Sequence, residues 1–168
     1  MLFIFGGLPA AGKSVLSRHL AIQLGAVYVR IDSIEQALRT HAGLNPVSVA
    51  GYVSAYAIAR DNLILGHKVV ADSVNPIQVT REAWRSVASD AGVPHLEIEV
   101  ICSDPEQHKA RYLARIADIA GLTYGPWEDV VNREYEQWST RDLQIDTAGQ
   151  SVADSYREMM HIVNSRIA

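Results

Sequence analysis

Gly7-Leu8-Pro9-Ala10-Ala11-Gly12-Lys13-Ser14 is the stretch that decides the fold. It satisfies G-x-x-x-x-G-K-[ST] at every specified position and follows Leu2-Phe3-Ile4-Phe5, an apolar run of strand length. A strand, a glycine-bearing turn and a helix in that order make a phosphate cradle. The glycines let successive backbone N–H groups converge on phosphate oxygens, Lys13 reaches the β- and γ-phosphates, and the Ser14 hydroxyl is placed to ligate Mg²⁺. The helix that begins there adds its positive end. Gly7, Ala10, Ala11, Gly12, Lys13, Ser14 and the adjoining Val15 are therefore the expected contacts to a nucleoside triphosphate.

Working outward, apolar runs of strand length alternate with longer segments of helical period, the pattern of βα units around a parallel sheet. After the loop, Lys13 to Leu24 carries Val15, Leu16, Leu20 and Leu24 on one face, and Gly25 is a plausible C-cap. Ala26 to Arg30 reads as a second strand, leading into Asp32 and a short helix to about Thr40. Pro46 opens a helical segment to Leu65, closed by Gly66; Lys68 to Asp72 is a third strand, and a helix runs on to about Ala91. Leu96 to Cys102 is the fourth strand. Ser103-Asp104-Pro105-Glu106 then starts a helix expected to reach about Ala120. The run Gly121 to Pro126 breaks it before a second helical stretch, Trp127 to Trp138. Leu143 to Asp146 is a fifth strand and Ser151 to Ile167 a terminal amphipathic helix. The expected class is α/β, one doubly wound domain over residues 1–168 with a lid at about 105–126.

Composition narrows the function. The 168 residues are 48% hydrophobic and 20% charged, ordinary for a globular domain, with a formal net charge of −4. That balance argues against a broad basic face for nucleic acid or anionic lipid, although a local basic cleft stays open. Cys102 is the only cysteine and sits in an apolar run, which suits a buried inert thiol in a reducing, cytoplasmic setting. The N-terminus has no basic n-region, and the uncharged stretch Ala42 to Ala59 contains Asn45, Pro46, serines and glycines, so no signal peptide or membrane span is expected.

In a doubly wound sheet, ligands sit outside the carboxyl ends of the strands. Asp32, Asp72 and Asp146 fall at the ends of the second, third and fifth strands. Phosphoryl transfer to a hydroxyl needs a metal on the phosphates and a carboxylate to accept the hydroxyl proton. Asp32 is the candidate base, with helix N-capping as the alternative; Asp72, with Ser14, is the candidate metal ligand, with turn formation as the alternative. His108, Arg111 and Arg115 lie at i, i+3 and i+7, on one helix face. Arg111 and Arg115 are candidates to clamp phosphate oxygens, against a merely solvated charged face.

Two other patterns lead elsewhere. Asp146-Thr147-Ala148-Gly149 spells D-x-x-G, but it lies near the C-terminus and no N-K-x-D occurs anywhere. The segment therefore reads as the turn after the fifth strand, with Thr147 lying beside the purine base. The six histidines have no H-x-x-x-H or Cys/His spacing, so no protein-built zinc site is indicated.

With these residues in hand, the chain resembles the small P-loop kinases grouped around polynucleotide kinase, chloramphenicol phosphotransferase, gluconate kinase and the zeta toxins, an AAA-type ATP-binding group. Val29 to Ala37 looks like the chloramphenicol phosphotransferase segment whose Asp is the base for the acceptor hydroxyl. Val69 to Pro76, continuing to Trp84, looks like the strand-three segment of the polynucleotide kinase domain. The resemblance implies a three-layer α/β/α fold with a parallel sheet in the order 2-3-1-4-5 and a helical lid. It also implies ATP with Mg²⁺ as cofactors and phosphate contacts from Arg111 and Arg115. Polynucleotide kinases carry an Arg three residues after the base; Glu35 stands there in this chain. That departure lowers the expectation of a nucleic-acid 5′ end.

The expected activity is an ATP-dependent kinase acting on a hydroxyl of a small molecule, with Lys13, Asp32, Arg111 and Arg115 catalytic. Two alternatives are a 5′-hydroxyl polynucleotide kinase-like activity and a regulatory ATPase module that acts on a protein partner through its lid.

Overall fold

The structure is a computed structural model that describes residues 1–167. In chain order its elements are β1 (Leu2–Gly6), α1 (Lys13–Leu24), β2 (Val27–Arg30), α2 (Ile31–His41), α3 (Ala50–Ile64) and β3 (Val69–Asp72). There follow α4 (Gln78–Asp90), β4 (His95–Ile101), α5 (Pro105–Leu113), α6 (Glu128–Val131), β5 (Leu143–Asp146) and α7 (Val152–Ile167). Every residue of β1 is buried, as expected of a strand covered on both faces. It takes the centre of a five-stranded, all-parallel sheet in the order β2-β3-β1-β4-β5.

Strand alternation divides the core into two halves. Phe3 and Phe5 face Leu16 and Leu20 of α1 and Met159 and Val163 of α7. Leu2 and Ile4 point the other way, to Ala55 and Leu63 of α3 and Trp84 of α4. The result is the expected three-layer α/β/α sandwich of P-loop kinases. Because all strands are parallel, their carboxyl ends share one edge, where Phe5 pairs in register with Asp72 and Arg30 with Asp72. No helix among the described residues is long and apolar enough to cross a membrane.

The helical content of the lid region is smaller than the periodicity predicts. Helix α5 stops at Leu113 instead of about Ala120, leaving Arg115 beyond its end. Two tertiary pulls explain the stop. The Tyr112 hydroxyl donates to the Gly125 carbonyl at 2.9 Å, and Asp118 is drawn to the guanidinium of Arg30 at 2.9 and 3.0 Å and to Arg18. Between Trp127 and Trp138 only Glu128–Val131 is helical. There the Glu136 N–H donates to Pro76 and the Trp138 indole to Glu97, so partners in the loop after β3 and on β4 outcompete helix propagation. Helix α3 begins at Ala50 rather than at Pro46, since Ser48 takes a left-handed φ of 51°. Asp32 falls in the first turn of α2, not at the end of a strand.

That irregular segment is held by Arg81, which is buried in α4. Its guanidinium donates to the carbonyls of Asn75, Pro76, Glu136 and Gln137 and lies over the Tyr135 and Trp138 rings. Arg81→Ala leaves the Asn75, Glu136 and Gln137 carbonyls without their donor, Pro76 keeping the Glu136 N–H, and each such loss in the interior costs about 1–3 kcal/mol before water enters. With solvent relaxation we expect a net loss of roughly 3 kcal/mol, a fall in Tm of roughly 6–12 °C in thermal denaturation.

Candidate functional site

The phosphate loop bridges β1 and α1 in a conformation that ordinary residues resist. Gly7 has φ 138°, and a Cβ there would sit 2.0 Å from the Val100 carbonyl oxygen; Gly12 has φ 103°. Ala10 adopts φ 65° despite its Cβ, a strain of the kind concentrated at ligand sites. The loop is anchored from both sides. Gly7 N–H donates to Val74, and the His108 Nε2–H donates to the Pro9 carbonyl at 2.7 Å. His108 thus fixes the loop rather than facing phosphate.

Two cavities flank Lys13. The first, about 320 Å³, is lined on the loop side by Ala10, Gly12, Lys13, Ser14 and Val15. Its far wall includes Arg111, Arg115 and Thr147. Gly7 and Ala11 do not line this cavity; Gly7 makes the turn, and the Ala11 carbonyl lies 2.9 Å from the Thr147 hydroxyl. Val15, expected among the nucleotide contacts, is 44% exposed and faces this cavity. Arg111 donates to the Thr147 hydroxyl at 2.7 Å and the Thr147 carbonyl at 2.9 Å. Since that hydroxyl accepts from Arg111, its one proton serves Ala11 or Ile101, whose carbonyls lie at 2.9 and 3.0 Å. The turn after β5 is thereby locked against the loop. Asp146 caps that turn, accepting from the Ser103 and Ala148 N–H groups, which accounts for the D-x-x-G echo as local structure.

The second cavity, about 240 Å³, lies between α2 and the lid. Asp32, Glu35, Tyr52, Tyr124, Asp129 and Arg133 line it, and Lys13 and Arg115 are common to both cavities. Arg115 rests 4.0 Å over the Tyr124 ring with Nη2 3.9 Å from Asp32 Oδ2. Asp32 does not cap α2, whose N-cap is Arg30, so its carboxylate is free to face the cavity.

Lys13 is only 5% exposed. Burial pushes its ammonium pKa down, and Asp72 and Asp32 pull it part of the way back. Asp72 is 2% exposed and lines neither cavity directly. Its Oδ2 accepts from the Tyr28 hydroxyl at 2.6 Å and lies 3.9 Å from Arg30 Nε, while Oδ1 is buried with no partner. An orphaned carboxylate oxygen beside the loop suits Mg²⁺, which binds through one or two protein oxygens plus phosphates and waters. Among the described residues no cluster of three His, Cys, Asp or Glu side chains is set to hold a metal. Ser14 and Asp72 are thus a fitting but partial set that needs phosphate oxygens to complete it.

Arg30 and Asp118, which motif reading did not mark, line neither cavity but stand beside the site's carboxylates. Arg30, 6% exposed, stands 3.8 Å from Asp32 and 3.9 Å from Asp72. Its hydrogen bonds, with those of Arg18, hold the Asp118 carboxyl well below the usual carboxylate range. The adjacency of Arg30 to Asp32 was the available signal; nothing local marks Asp118. Cys102, expected to be buried, is partly exposed, with Arg111 Nη1 3.7 Å from its sulfur. The chain bends away from the core there to begin α5.

The family model for the AAA domain matches residues 2–120. A candidate kinase from Chloroflexus aurantiacus superposes with a TM-score of 0.75 at 20% identity, over 98% of this chain and 96% of that one. Kti12 from Chaetomium thermophilum, in complex with ADP-AlF3, gives a TM-score of 0.71 at 21% identity over 100% of both chains. APS kinase CysC from Mycobacterium tuberculosis, in complex with AMPPNP and APS, gives 0.66 at 19% over 97% of this chain and 96% of that one. No curated protein sequence matches the chain. At these identities the solved structures share the fold.

Proposed function

The chain belongs to the AAA domain family, and from that premise we propose that it is an ATP-dependent kinase that transfers the γ-phosphoryl group to a hydroxyl of a small molecule. One observation carries the reading: two cavities, one walled by the phosphate loop and one by Asp32, meet at Lys13 and Arg115. Two cations at that junction suit a phosphoryl group passing from one side to the other, where negative charge spreads over its oxygens.

ATP occupies the loop cavity, its phosphates on the loop N–H groups and Lys13, its base end towards Thr147. Arg111, tied to Thr147, supports the nucleotide, while Arg115 faces the transferred group. Ser14 and Asp72 would hold Mg²⁺, which would supply charge neutralisation at the phosphates. Asp32 accepts the proton of the acceptor hydroxyl as its oxygen bonds to phosphorus. The lid residues Tyr112 and Tyr124 shield the second cavity from water, which would otherwise compete as acceptor. A regulatory ATPase module would leave that cavity and Asp32 without a role.

The test is ATP consumption by the purified protein against a mixed library of hydroxyl compounds, with products identified by mass spectrometry. The expected result is stimulation by some member with appearance of its phosphate ester. Nucleotide binding without stimulation, together with a nucleotide-dependent protein partner, would replace the kinase by the regulatory module.

A further inference from the structure

The walls of the second cavity are sorted by charge. Lys13 and Arg115 sit at the junction and are committed to the phosphates. The remaining charged groups are the carboxylates of Asp32, Glu35 and Asp129 against the single guanidinium of Arg133, so the acceptor end is net negative. The two buried glutamates of β4, by contrast, are saturated. Glu97 accepts from Arg85, Trp138 and Thr140, and Glu99 from Tyr135 and Gln144 with Arg141 at 3.1 Å. In the cavity the nearest cations stand off at 3.8 and 3.9 Å from Asp32 and 3.9 Å from Glu35, beyond hydrogen-bond range. Arg39, the partner of Glu35, spends its short contact on Gln36 at 2.9 Å instead.

Glu35 is also positioned deliberately. A Cβ on Gly51 of α3 would lie 2.4 Å from Glu35 Cγ, so only glycine there lets the side chain lie between α2 and α3 with its carboxylate on the cavity wall. Burial, reinforced by Asp32 and opposed in part by Arg39 and Arg133, pushes the Glu35 carboxyl pKa up. The rest of the wall sets the tyrosines Tyr52 and Tyr112 among aliphatic side chains, with Tyr124 already carrying Arg115 at 4.0 Å over its ring. The buried Tyr124 hydroxyl has no hydrogen-bond partner. Tyrosine faces and carboxylates together are the chemistry that receives an ammonium group.

We propose that the acceptor is a cationic hydroxyl compound, an amino alcohol or amino sugar, whose ammonium is held by Glu35 while its hydroxyl faces Asp32. The inference rests on the kinase reading. In the step, the hydroxyl oxygen bonds to the γ-phosphorus and the bond from phosphorus to the β–γ bridging oxygen breaks. The hydroxyl proton passes to Asp32, and ADP leaves. Glu35 takes no part in this bond exchange and acts by orienting the acceptor.

The experiment incubates the protein with ATP, Mg²⁺ and a metabolite extract, identifies the phosphorylated product by mass spectrometry, and measures kinetics on its purified parent. An amine-bearing parent is the expected result. A neutral or anionic parent overturns this inference while leaving the kinase standing; no phosphorylated product at all overturns the kinase reading and this inference with it. With the amine in hand, Glu35→Gln, nearly identical in shape, is expected to raise its KM about ten- to a hundredfold, the loss of one charge-assisted contact, while kcat falls less than about threefold. Glu35→Asp is expected to recover part of that loss. An unchanged KM in Glu35→Gln removes Glu35 from acceptor recognition.

Discussion

Lys13→Ala is expected to abolish measurable transfer, lowering kcat/KM by at least about 10³-fold, as removal of a preorganised charge contact to a reacting group does. The magnitude follows from where Lys13 sits. It is 5% exposed at the junction of the two cavities, so its charge acts on phosphate oxygens without much screening by water. Before ATP arrives Asp72 and Asp32 offset the burial of that ammonium in part. Binding of a polyanion relieves its burial cost, so nucleotide affinity should fall along with turnover. The measurements are nucleotide titration and single-turnover transfer, with thermal denaturation to confirm that the variant folds. Full activity in Lys13→Ala would remove the loop lysine from the chemistry.

Asp32→Asn is the second large effect, and it is selective. The amide keeps the size of the side chain but is a far weaker proton acceptor, and general-base assistance is worth about 10²–10⁴-fold. ATP affinity should stay within about threefold of the wild type, since Asp32 lines the second cavity and not the one walled by the phosphate loop. The ion pairs lost to Arg30 and Arg115 are long, at 3.8 and 3.9 Å, and Asp32 is one-third exposed, so stability should change little. Phosphoryl transfer at the wild-type rate in Asp32→Asn would overturn the base assignment. Lys13→Ala and Asp32→Asn thus separate the donor half of the reaction from the acceptor half.

Local chemistry carried much of the site into view. The loop from Gly7 to Ser14 was legible because glycine, lysine and serine at those intervals are required by the geometry of a phosphate cradle. Thr147 entered through its place after the last strand, and the structure puts it against Ala11 and Arg111. Arg111 and Arg115 were legible as a pair but not as two roles. One is tied to Thr147 and the other lies over Tyr124, a division set by partners 36 and 9 residues away in the chain. His108 shared their helical spacing and turned out to hold the loop at Pro9, because spacing gives the face of a helix and not what that face meets.

By itself the sequence determined the class, the strand sequence and the phosphate loop. Alternation, helical period and glycine placement are local consequences of backbone sterics and of burying apolar surface. Tertiary structure alone decided where helix α5 ends, which cations are shared by the two cavities, and that Asp118 reaches across to Arg18 and Arg30. The charge of the second cavity belongs there too, since Glu35 and Asp129 lie 94 residues apart in the chain and line one cavity only in the folded structure. Such contacts depend on long-range packing, which can override local propensity wherever a buried charge or hydroxyl finds a better partner outside its own helix.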